Sequence, residues 1–230
     1  MSSGAIRVAG ILVFVSLALS VVANIVAFAT MGAMMTGDNA NPMAALTGMM
    51  TGAGIISIIV GIFALVVFFL AMSALKSYLT KYANYTGANG IISAIIWTFA
   101  ALLVIYVIFA FATMGGNPQQ AGVLGGIMGI LMLIIMLVLY ILYFIKAFKL
   151  SAYAKANQDG AVRGYAILLL IVCWSLIGMI VVSILGAVAP ALFILVAIVG
   201  IIVVLIMIAV WVMLGVALVS GAGKMKAKGM

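Results

Sequence analysis

The sequence predicts an all-α polytopic membrane protein with six transmembrane helices, tandem helical-hairpin repeats and both termini in the cytoplasm. Three observations carry that prediction. Of the 230 residues, 70% are hydrophobic and 5% charged, where soluble domains carry roughly a quarter charged residues. Six apolar runs reach the length of about 20 residues that a helix needs to cross the hydrocarbon layer. Finally, all ten Lys and Arg fall beside helix ends that a single topology places on one face.

The runs cover residues 8–30, 55–75, 91–113, 123–145, 166–188 and 191–219. The first begins just after Arg7 and has the small-x-small ending Ala27-Phe28-Ala29, as a secretory signal does. It is nevertheless longer than the signal core of roughly 7–15 apolar residues, so it is expected to stay as a helix. Lys76 and Lys81 follow the second run. Lys146, Lys149, Lys155 and Arg163 join the fourth to the fifth, and Lys224, Lys226 and Lys228 follow the sixth. The connections after the first, third and fifth runs carry no Lys or Arg, and the outer surface holds only Asp38. Positive charge near helix ends is retained in the cytoplasm, which fixes the orientation. Tyr78, Tyr82, Tyr85, Tyr140, Tyr143, Tyr153 and Tyr165 fall near the same boundary and are expected to lie at headgroup level, with Tyr106 deep. The sequon Asn84-Tyr85-Thr86 then faces the cytoplasm, away from glycosylation.

The phrase "AFATMG" occurs at 27–32 and again at 110–115, closing the first and third runs. At the inner connections, "ALKSYLTKYANYTGA" (74–88) aligns with "AFKLSAYAKANQDGA" (147–161). The repeating unit is a helical hairpin with Gly87 or Gly160 expected at its bend. The hairpins cover approximately 5–88, 89–161 and, more faintly, 162–230, within one six-helix domain spanning 1–230. Mitochondrial carriers share a three-hairpin plan, but their proline-acid-basic signature is missing. The duplicated hairpins and the inner turn "AYAKANQDGAVRGYAI" resemble multi-pass integral membrane proteins of archaea that have no assigned activity. That resemblance covers mainly 74–167 and implies no functional residue.

Residue chemistry narrows function further. There is no His and no Glu, and the two acids are Asp38 and Asp159, so acid-base work, nucleophile-base pairs and metal constellations lack their usual residues. No catalytic residue, cofactor or metal is expected. The lone Cys173 reads as a small buried hydrophobe. None of the six cores contains an ionisable group; Arg7 and Lys146 stand at ends, where they are expected to snorkel to headgroups. Six methionines at 31, 34, 35, 43, 49 and 50 surround the first outer loop. Thioethers select Cu(I), but Met also serves as adaptable filler, and no His or Cys assists.

Helix packing is the remaining chemistry. Ser16, Ser20 and Asn24 recur every four residues and are expected to form one polar stripe, either helix glue or a lining for a small polar solute. Gly122 with Gly126 and Gly125 with Gly129 make overlapping small-xxx-small pairs, with similar seams at Ser57/Gly61 and Gly178/Gly186. The basic inner residues suit anionic headgroups or an acidic partner, although topology alone requires them. They offer no aromatic platform for nucleic acid. The expectation is a non-enzymatic protein of the cell membrane. It contacts the lipid bilayer and acts as an accessory, scaffold or self-associating subunit with other membrane proteins. A small transporter or channel for a neutral or lipidic solute is the alternative.

Overall fold

The computed structural model describes the backbone of residues 1–35, 54–113, 118–188 and 193–229, with side-chain surroundings for 1–25, 59–105, 108, 128, 130–182 and 198–229. The described residues form six helices: α1 (Ser3–Met35), α2 (Gly54–Lys81), α3 (Asn89–Thr113), α4 (Pro118–Ala156), α5 (Gly160–Val188) and α6 (Phe193–Ala227). Five of them, all except α3, are long and apolar enough over their described residues to cross a membrane; in α3 the corresponding apolar stretch is Asn89–Ile105.

Several helices outrun the apolar cores that define them. The 39 residues of α4 extend about 58 Å at 1.5 Å per residue, nearly twice a hydrocarbon layer of about 30 Å. The overrun reads "KAFKLSAYAKA", rich in Ala and Lys, which favour helix with or without lipid. At its other end α4 opens on Pro118, whose missing N–H costs nothing in a first turn. α1 continues to Met35 and so takes in Met31, Met34 and Met35; Asp38, Met43, Met49 and Met50 lie outside the described residues.

The chain divides into two compact units, residues 1–78 with 208–230 and residues 79–207. In the first, α1 packs on the second half of α6 at very short range. A Cβ on Gly10 would stand 3.1 Å from the carbonyl oxygen of Gly215 and 3.0 Å from Cβ of Leu218. Gly215 lies under the ring of Phe14, and Gly221 under that of Tyr78 on α2. Phe68 on α2 meets Trp211 on α6 edge to face, with centroids 6.3 Å apart. Ile6, Val13, Ala71, Leu75, Leu214 and Leu218 fill the remaining core of this unit.

In the second unit α4 packs against both α3 and α5. Its two connections close differently. After α4, the amide of Asp159 bonds back to the carbonyl of Ala154 at 3.1 Å while Gln158 adopts φ 51°, a Schellman ending. Asp159 then starts α5: its carbonyl accepts from the amide of Arg163, and its Oδ1 accepts from that of Val162 at 3.4 Å. One residue thus ends one helix and caps the next. Asp159→Ala is expected to lower stability by about 1 kcal/mol, the usual worth of an N-cap, as a lower thermal midpoint in detergent.

The α2–α3 connection is longer, with Asn84 at φ 49° and the amide of Tyr85 reaching the carbonyl of Leu79 at 2.9 Å. The left-handed residues of the two connections are Asn84 and Gln158, while Gly87 lies in its turn and Gly160 begins α5. Asn tolerates that region because its side chain is short and polar. Gly87 is small for another reason: a Cβ there would meet the Tyr85 ring at 2.8 Å.

Candidate functional site: a lysine enclosed between α4 and α5

Lys146 departs furthest from expectation. It stands one residue past the apolar core of α4, where a lysine normally turns its ammonium out to the headgroups. Instead it is 0% exposed. Its Nζ lies 4.7 Å from the ring centroid of Tyr143, one turn back on α4, and 5.2 Å from that of Tyr165 on α5. Residues three apart share a helix face, so Tyr143 is placed by α4 itself. Tyr165 is brought in by the hairpin, because the short turn at 157–159 sets the start of α5 beside the end of α4. The π faces supply the negative potential that an ammonium loses on leaving water, a contribution of about 2 kcal/mol when desolvated.

The seam continues deeper. The hydroxyl of Tyr140 donates to the carbonyl of Cys173 at 3.0 Å, and Cys173 is itself a buried free thiol. Phe144 packs edge-on to Trp174 at 5.8 Å and to Phe148 at 4.9 Å on the outer side. Ala147, Leu150, Val162, Ala166 and Leu169 close the interior. One turn beyond Lys146, the exposed Lys149 donates from Nζ to the carbonyl of Gly87 at 2.9 Å, while its own carbonyl accepts from the Tyr85 hydroxyl at 3.2 Å. Tyr85 also packs on Tyr153, with centroids 5.0 Å apart. Two lysines three residues apart thus do different work: one holds α5, the other the α2–α3 connection. Arg7 alone of the pair expected to snorkel is exposed.

The tyrosines divide likewise. Tyr78, Tyr153 and Tyr165 are buried among helices, Tyr82, Tyr85, Tyr140 and Tyr143 are half-buried, and the side chain of Tyr106 lies outside the described surroundings. Their rings are packing elements first, since each large apolar body gains more from a neighbour helix than from a boundary.

The polar stripe on α1 does not hold as one face. Ser16 is buried, Ser20 half-buried and Asn24 exposed, with its Nδ2 donating to the carbonyl of Ser20 at 2.7 Å. Asn24 therefore serves its own helix. Gly122, Gly125, Gly126 and Gly129 lie on α4, but their surroundings fall outside the described residues. Gly61 and Gly178, expected at seams, have no described atom within 4 Å of a Cβ. Ser57 and Gly186 fall outside the described surroundings. Among the described residues, the glycines at close approaches between helices are Gly10, Gly215 and Gly221. Of these, only Gly221 carried a spacing signal, standing four residues after Ala217. Among the described residues, no three His, Cys, Asp or Glu gather as a metal site would require. No protein-family model matches the chain, and no curated protein and no solved structure matches it.

Proposed function

We propose that the chain is a non-catalytic multi-pass protein of the cell membrane, crossing six times with both termini cytoplasmic. It works by packing, as an accessory, scaffold or self-associating subunit of a membrane assembly. The observation that carries this reading is a set of open glycines within the apolar helices. Gly61 on α2, Gly178 on α5 near exposed Trp174 and Val181, and Gly200 on α6 near exposed Val204 each have no described atom within 4 Å of a Cβ. In lipid, a glycine on an outward apolar face is a notch that lets another helix approach closely. Extraction in mild detergent followed by native mass spectrometry is expected to give a dimer or larger species, or a stoichiometric partner. A lone monomer under every mild condition would overturn the reading.

The second reading, a transporter or channel for a neutral or lipidic solute, is favoured by Lys146 alone. Ionisable groups turned toward the interior of a bundle commonly mark a solute path, and Lys146 turns inward at the end of its apolar core. A lipid or solute that copurifies stoichiometrically and is lost in Lys146→Met would support it over the first.

Orientation has its own test in the native sequon. Asn84 is exposed in the α2–α3 connection, which this reading places in the cytoplasm. In glycosylating microsomes Asn84 is expected to stay unmodified, while a sequon engineered into 36–53 acquires a glycan. Glycan on Asn84 would reverse the topology.

A further inference from the structure

We propose that Lys146, held between Tyr143 and Tyr165, is a clasp on the α4–α5 seam that anionic lipid headgroups open by competing for its ammonium. The inference rests on the membrane reading above but not on which face is cytoplasmic.

Three observations converge on it. The ammonium lies within cation-π range of rings from both helices, so its position couples α4 to α5 and not merely to itself. It is wholly buried, yet it sits at the end of the apolar run, with Ile145 on one side and Phe148 and Lys149 on the other all exposed. Lys149 is only about 4.5 Å further along the axis by helical rise. The boundary layer is therefore within a side chain's length of the cage, and the inward rotamer competes with the ordinary outward one. The partners also differ in kind. A π face offers a diffuse quadrupole, whereas a phosphodiester offers localised charge and acceptor oxygens, and its local concentration is set by lipid composition. A ligand that binds only the outward state shifts the population toward it, which removes the ammonium from Tyr165 and loosens the seam.

The test uses the full chain in a Cys173→Ala background, with nitroxides on Ile145→Cys and Ile171→Cys, one on each helix. The protein is reconstituted in nanodiscs of phosphatidylcholine with a rising share of phosphatidylglycerol, which presents anionic lipid on both faces. Dipolar broadening between the labels is expected to fall as phosphatidylglycerol rises. Lys146→Met is expected to abolish that dependence at unchanged helix content. Should Lys146→Met fail to fold, Tyr165→Leu keeps the ammonium but removes one ring, and is expected to show the loosened spectrum at a lower phosphatidylglycerol fraction. Broadening that ignores lipid charge, or a Lys146→Met protein that retains the dependence, overturns the proposal. Inorganic phosphate added to pure phosphatidylcholine nanodiscs is expected to change nothing; loss of broadening there would make a soluble anion the competitor and overturn the lipid assignment. A chain that does not enter nanodiscs would overturn the membrane reading and the lipid-competition proposal with it, whereas a chain that enters but ignores lipid charge overturns the proposal alone.

Discussion

Gly10→Leu is expected to lower the thermal unfolding midpoint of detergent-extracted protein sharply, with a cost of about 3 kcal/mol or more. The reason is what stands opposite. A Cβ at Gly10 would meet Val219 Cγ2 at 2.9 Å, Leu218 Cβ at 3.0 Å and the Gly215 carbonyl oxygen at 3.1 Å. A side-chain end can rotate away, but a carbonyl within a helix can move only with its helix, so α1 and α6 must separate along their contact. Gly10→Ala carries part of the same cost. At Gly215 and Gly221 the atoms met belong to the Phe14 and Tyr78 rings, which can yield. Gly215→Ala is accordingly milder and should recover when paired with Phe14→Leu. The control is Gly61→Leu. With nothing within 4 Å at Gly61, its effect on the folded chain is expected within about 0.5 kcal/mol. If Gly61 is a notch for a neighbour, that variant changes the oligomer instead, so the two readouts separate folding from assembly. A Gly10→Leu protein with an unshifted midpoint would show that α1 and α6 do not meet here.

The existence and approximate place of each helix were legible because the signal is additive: twenty apolar residues in a row read the same whichever way each one points. Which face packs is not additive, and helices that are apolar all round carry no stripe to reveal it. Ser16, Ser20 and Asn24 show the difficulty. A step of four residues overshoots a full turn by about 40°, so Asn24 stands about 80° around the helix from Ser16. That is enough to take one residue inside and leave the other out. Gly61 and Gly178, the described glycines of two expected seams, face no described neighbour for a related reason. Small-xxx-small spacing describes what one helix offers, but close approach also requires a ridge on the partner. Phe14 and Tyr78 provide such ridges for Gly215 and Gly221, and among the described residues none does so for Gly61 or Gly178. At the turns, glycine was the natural candidate for a left-handed residue, yet Asn84 and Gln158 take that role. Gly87 is required by the Tyr85 ring, a tertiary contact that turn chemistry cannot announce.

Lys146 shows the same limit where most is at stake, and Lys146→Glu is the substitution that tests it. Were the side chain outside in the headgroups, reversing its charge, a change of two units, would cost about 2 kcal/mol at about 1 kcal/mol for each charge near an anionic surface. Enclosed as observed, the carboxylate would face the π surfaces of Tyr143 and Tyr165, which attract a cation and repel an anion. It would also have to give up its proton-free form or its burial, a penalty of several kcal/mol either way. The expected outcome is loss of the folded, extractable protein. Lys146→Met, which keeps length and volume, loses about 2 kcal/mol of cation-π attraction but no longer buries a charge, so it should stay within about 2 kcal/mol of the parent. The contrast between Glu and Met, measured as yield and thermal midpoint in the same detergent, therefore locates the ammonium. Equal behaviour of the two would place Lys146 outside, and the joint between α4 and α5 would then rest on its apolar contacts and the Tyr140–Cys173 hydrogen bond.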